Sequence, residues 1–203
     1  MFQAIIYERV EIIKGFVVGG FGIHARDCNL RDDARQGELI QIRNNLTMKL
    51  GEAYWNVVKK IWDTISIYDG EIIFLEQFAK TDLKEKNLFA AHWCQSEIRN
   101  GGFYQFFDNS TGILAPEAVD AFRAIGMPKT ANLIKKAMGL FGSTYPRDKD
   151  KRGEALRIFE NQSDQEKDLF DEIDKFDKEF FVLIRKENDG FEIAADNYAL
   201  SGE

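Results

Sequence analysis

The chain has 203 residues, with 34 acidic against 27 basic side chains and a formal charge of −7 at neutral pH, which limits it to one domain, or one domain with an appendage. Seventeen Phe, 3 Trp and 6 Tyr, within 44% hydrophobic residues, supply a packed core and exclude disorder for the chain as a whole. A net negative chain is repelled by phosphate backbones, which argues against direct nucleic-acid binding, and its two cysteines, Cys28 and Cys94, form neither a disulfide framework nor a zinc pattern and so point to a reducing cytoplasm.

Residues 1–47 read as an N-terminal extension. Gly15, Gly19, Gly20, Gly22 and Gly37 break any helical run, and Ile5 to Val18 is compatible with a strand, a hairpin or a helix. Glu8, Arg9, Glu11 and Lys14 interrupt its apolar runs, so neither a signal-peptide core nor a membrane span is expected.

The helical domain is expected over 48–203. From Glu52 to Ile67, Tyr54, Trp55, Val58, Ile61, Trp62 and Ile65 recur at the three- and four-residue steps of one helix face, with Asp69-Gly70 as the stop. A short helix follows over Ile72 to Ala79. Asp82 suits the N-cap of a third, which carries Leu88, Phe89, His92, Trp93 and Glu97 and ends at Asn100-Gly101-Gly102. After the aromatic cluster Phe103, Tyr104, Phe106 and Phe107, the run Asp108 to Gly112 reads as a loop. Pro116 and Pro128 each suit the first turn of a helix, with Gly126 between them, and Tyr145 to Arg152 reads as a charged loop. The last long pattern places Leu169, Ile173, Phe176, Phe180 and Ile184 on one face behind a capping-box pair, Ser163 and Glu166. No segment after Met48 alternates like a strand, so the fold class is all-α, a multi-helix domain with short connections.

Charge is not spread evenly. Residues 160–203 hold 14 acids and five bases, a balance of −9, whereas everything before Glu160 sums to +2. On a wheel of 3.6 residues per turn, Asp164, Asp168, Asp171, Glu172 and Glu179 fall along one flank of the last apolar stripe, with carboxylates about 6 Å apart. Such a row can present a phosphate-like field to a basic protein surface. Against that, Lys175 and Lys178 sit four residues after Asp171 and Asp174 and can pair with them, as on an ordinary solvated helix face.

Catalytic and metal-binding patterns are weak. His24 and His92 are the two histidines, and nothing in the spacing brings His24 to Cys94; a buried histidine and a core cysteine are expected instead. No His-x-x-x-His, Glu-x-x-His or calcium-loop spacing occurs, and Gly19 to Gly22 lacks the lysine of a phosphate loop, so no cofactor or metal is expected.

One run is more specific. In Trp93 to Gly112, the residues Glu97, Asn100, Gly101, Gly102, Phe103, Gln105, Phe106, Phe107, Asn109 and Gly112 stand in fixed order. Two glycines permit a sharp turn between helices, and the side chains of Asn100, Gln105 and Asn109 are placed to satisfy backbone groups that the turn exposes. Glu97, one turn before the helix end, is unfavourably placed for the dipole and calls for a partner such as a backbone amide or Arg99. A scaffold corner and a small polar pocket rimmed by aromatics both fit these residues. The run resembles the signature of a bacterial domain family long classed as of unknown function, whose best-known member is a DNA-mimic protein that binds a helix-turn-helix repressor. The resemblance spans Tyr54 to Ile184 and implies a helical fold, often dimeric, with no known cofactor or catalytic residue.

These readings converge on a non-catalytic module whose acidic surface engages a basic protein, which the resemblance implies to be a DNA-binding regulator. An immunity or antitoxin-like protein would use the same surface against a basic nuclease. An enzyme of unfamiliar type would need a concave site around Glu97, His92 or Gln105.

Overall fold

A computed structural model describes residues 48–161 and 169–202. Eight α-helices make up these residues: α1 (Glu52–Trp62), α2 (Glu71–Ala79), α3 (Leu83–Asp108), α4 (Ala115–Ala124), α5 (Pro128–Met138), α6 (Lys149–Asn161), α7 (Leu169–Lys186) and α8 (Phe191–Leu200). Short 3-10 turns at Ser110–Leu114, Gly139–Phe141 and Glu187–Asp189 join some of them, and no strand occurs among the described residues. The all-α expectation holds. The extension over residues 1–47, the capping pair Ser163 and Glu166, and the acids Asp164 and Asp168 lie outside the described residues.

The long helix α3 is the centre of the packing, with α1, α4, α6, α7 and α8 against it. Its start follows directly from sequence. Asp82 accepts from the Lys84 amide at 2.8 Å while Glu85 reaches back to the Asp82 amide at 3.3 Å, a reciprocal capping box. Leu88, Phe89, Cys94, Ile98, Phe103, Phe106 and Phe107 are buried on it, and Phe122, Phe180 and Phe191 arrive from α4, α7 and α8 to close the core. Each buried phenyl ring contributes about 1.5–3 kcal/mol through loss of apolar surface to water.

Two boundaries differ from the sequence pattern. Helix α1 stops at Trp62, before Asp69-Gly70, where the Thr64 hydroxyl donates to the Ile61 carbonyl at 2.9 Å and the Thr64 amide bonds the same oxygen at 3.0 Å. Ile65 and Ile67 are still buried, but from the loop, so the apolar spacing outlasts the helix. The charged stretch Tyr145 to Arg152 is not wholly loop, because α6 begins at Lys149. Helix α8, which the patterning did not resolve, packs against α1.

Three of the 14 C-terminal carboxylates are turned inward by the fold. Three helical segments start at residues that provide no side-chain cap: Gly51 before α1, Met127 before α5, and Gly102 before the second half of α3. Each is capped by a carboxylate from the last third of the chain. Asp196 accepts from the Gly51 and Tyr54 amides at 2.7 and 2.9 Å. Glu187 accepts from the Lys129 and Thr130 amides at 2.7 and 2.8 Å and from the Thr130 hydroxyl at 2.7 Å, and Asp177 accepts from the Phe103 amide at 2.8 Å. A carboxylate at a helix N-terminus satisfies free amides and meets the positive end of the dipole, so these long-range contacts tie the ends of the domain together.

Candidate functional site: the glycine corner and its flanks

The paired glycines break α3 without ending it. Gly101 (φ −151°, ψ 26°) and Gly102 (φ 75°, ψ −178°) leave the helical region, and the chain resumes as helix from Phe103 to Asp108. The stretch expected as an aromatic cluster followed by a loop is therefore a helix followed by a 3-10 turn.

The polar residues of the run converge on one carboxylate. Glu97 Oε2 accepts from Gln105 Nε2 at 2.7 Å and from Asn109 Nδ2 at 2.9 Å, spanning the kink. This corrects two expectations: Gln105 and Asn109 serve Glu97 rather than the backbone of the turn, and Glu97 is partnered by neither a backbone amide nor Arg99. Arg99 turns away, to Gln95 Oε1 at 3.2 Å and Glu192 at 3.0 Å. Asn100 is exposed. Gln95, Ser96, Glu97, Arg99 and Asn100 line an open cleft of about 400 Å³ on this side of α3. Phe103, Phe106 and Phe107 are fully buried behind it, as core rather than pocket rim.

The far end of the run is held by residues of Tyr145 to Arg152, the stretch expected as a charged loop. Arg152 is fully buried on α6. Its Nε donates to the Phe107 carbonyl at 2.8 Å, and its guanidinium nitrogens donate to the carbonyls of Asn109 at 2.9 Å, Pro146 at 3.4 Å and Arg147. It thus places a positive charge on the free carbonyls at the C-terminus of α3. Tyr145 donates its hydroxyl to the Gly112 carbonyl at 2.8 Å, and Arg147 pairs bidentately with Glu117 at 2.6 and 2.7 Å. Gly112 is required there for space, since a Cβ would lie 2.7 Å from the Phe106 carbonyl oxygen and 2.9 Å from Arg152 Nε.

His92 lies in an aromatic box, its ring 5.1 Å from that of Trp55, 5.6 Å from Trp62, 6.0 Å from Tyr54 and 6.2 Å from Trp93. Burial lowers it from the ordinary 6.5 to about 4, and the same cause pushes the buried Cys94 thiol well up. The fold thus binds fewer protons at His92 than the unfolded chain does, so the stability this neutral imidazole contributes is complete above about pH 6.5 and is lost as pH falls towards 4. Between pH 7 and pH 4.5 the loss amounts to about 2–3 kcal/mol. Replacing His92 by Phe is expected to flatten the pH dependence of stability by that amount. Urea unfolding of both proteins at the two pH values measures it, and parallel pH profiles would refute the assignment.

On α7, Asp171, Glu172 and Glu179 are exposed, as the wheel predicts. Lys178 pairs with Asp174 at 2.7 Å, but among the described residues no ion pair joins Lys175 to Asp171. Asp177, on the same helix, instead points into the corner, where burial raises its carboxyl above the usual range against the opposing pull of the Phe103 amide. No cluster of His, Cys, Asp and Glu among the described residues could hold a metal ion, and no helix among them is long and apolar enough to cross a membrane.

The fold and this site define an all-helical domain built on a kinked central helix, with a carboxylate-amide corner on one side and an acidic helix packed beside it. The chain belongs to the family of DMP19-like proteins, whose model matches residues 80–200, an interval that contains the whole glycine corner and α7. Neither the curated proteins nor the solved structures contain a match to the chain.

Proposed function

We propose that this protein is a non-catalytic binding module that uses the outer flank of α7 to engage the basic surface of a DNA-binding regulator, in the manner of a DNA mimic. The observation that carries the reading is the exposed carboxylate row Asp171, Glu172 and Glu179 in a chain of the DMP19-like family. Asp171 and Glu172 are neighbours at the start of the helix and Glu179 stands two turns on, about 10–12 Å along the axis, so a single rigid element carries all three carboxylates and needs little ordering on binding a basic groove. Family membership favours a DNA-binding partner over the basic nuclease of an immunity pair.

The test is capture from the host lysate at low and high salt, followed by competition. A captured protein that binds duplex DNA, is released by that DNA and by salt, and binds at least tenfold more weakly to the Asp171→Asn, Glu172→Gln, Glu179→Gln variant is the expected result. Binding insensitive both to salt and to the triple substitution would overturn the reading.

A further inference from the structure

The contacts of Glu97 are lopsided. Both amide donors, Gln105 Nε2 and Asn109 Nδ2, go to Oε2, and no donor among the described residues reaches Oε1. The half-buried carboxylate is therefore fixed in place by two neutral groups that leave its charge uncompensated. The nearby cation does not compensate it. Arg99, which shares the cleft, is matched by Glu192 at 3.0 Å and also donates to Gln95 Oε1 at 3.2 Å. With Arg99 and Glu192 cancelling, the lining of Gln95, Ser96, Glu97, Arg99 and Asn100 keeps one net negative charge and several side-chain oxygen acceptors in a cleft of about 400 Å³.

From this geometry we propose that the cleft is a receptor for an arginine side chain presented by a protein partner. A guanidinium offers five donors in a planar fork, suited to one fixed carboxylate oxygen flanked by amide and hydroxyl oxygens, and is weakly hydrated enough to give up part of its water in an open cleft. Gln105 and Asn109 are positioning residues, since they hold Glu97 rather than the ligand. The inference deepens the reading of a basic partner, and rests on it for the source of the arginine: α7 supplies a diffuse field, whereas the Glu97 cleft supplies one directional contact.

The probe is Nα-acetyl-L-arginine amide, titrated into the full chain and followed by amide NMR, with the neutral Nα-acetyl-L-citrulline amide in parallel. Saturable shifts at Gln95 to Asn100 with the arginine compound, and none with citrulline, are expected. Ser96 is exposed and makes no bond to Glu97, so Ser96→Trp fills the cleft with the corner intact and is expected to weaken arginine binding at least tenfold. Equal shifts with citrulline, shifts confined to Asp171, Glu172 and Glu179, or undiminished binding by Ser96→Trp would each overturn the proposal. Lysate capture separates the two ideas. Arginine binding without a captured DNA-binding protein removes the partner reading and leaves the cleft, whereas capture without arginine binding removes the cleft alone.

Discussion

Replacing Arg152 by Ala is expected to lower the unfolding free energy by about 3–5 kcal/mol, the range for breaking a buried charged network. The side chain is fully buried, and its bonds run to four backbone carbonyls, those of Phe107, Asn109, Pro146 and Arg147. Burial pulls the guanidinium below its ordinary value; among the described residues no carboxylate forms an ion pair with it, and the charge is held by the converging carbonyl dipoles together with the more distant carboxylates of Asp148, Glu71 and Asp108. Truncation would leave those oxygens without their donors, and each stranded acceptor costs about 1–3 kcal/mol. Arg152→Lys keeps the charge but presents its three donors from one point, which cannot span carbonyls on two segments, so less than half of the loss should return. Urea denaturation of the three proteins measures both differences. A loss below about 1 kcal/mol for Arg152→Ala would show that the carbonyls find other partners.

Arg152 also marks where sequence reading stops. Helices α2, α4, α5 and α7 were legible because their apolar residues repeat at helical spacing and their ends carry Pro, Gly or a cap, all of which act within a few residues. The bonds of Arg152 to Phe107 and Asn109 cross 45 and 43 residues, and no local pattern encodes them. The caps supplied by Asp177, Glu187 and Asp196 are hidden for the same reason. Counted along the chain they are part of an acidic tail, and only the packed fold turns them inward onto the Phe103, Thr130 and Tyr54 amides. Gly51 and Met127 offer no side-chain acceptor of their own to the helices they precede, so the acceptor comes from a distant part of the chain. At the glycine corner the motif was legible as a unit, and Glu97 was recognised as lacking a partner. Its donors proved to be Gln105 and Asn109, because the kink brings the two halves of α3 back towards each other on that side.

That kink makes Gly102 the other position of large effect, with Gly102→Ala expected to cost about 3–5 kcal/mol. Two causes add. The residue sits at φ 75° and ψ −178°, a region essentially confined to glycine and costing other residues about 1–3 kcal/mol. A Cβ there would also stand 2.3 Å from Asp177 Oδ2 and 2.9 Å from its Cγ, so the carboxylate that caps the Phe103 amide would be driven off. The two causes separate in a double-mutant cycle. Asp177→Ala alone removes the cap and should cost about 1 kcal/mol. With Asp177 already truncated the steric conflict disappears and the backbone strain remains, so the double variant should be more stable than the sum of the single losses predicts, by about 1–2 kcal/mol. Strict additivity in urea unfolding would mean that strain alone accounts for the glycine, and that the close approach of α7 to the corner is not what requires it.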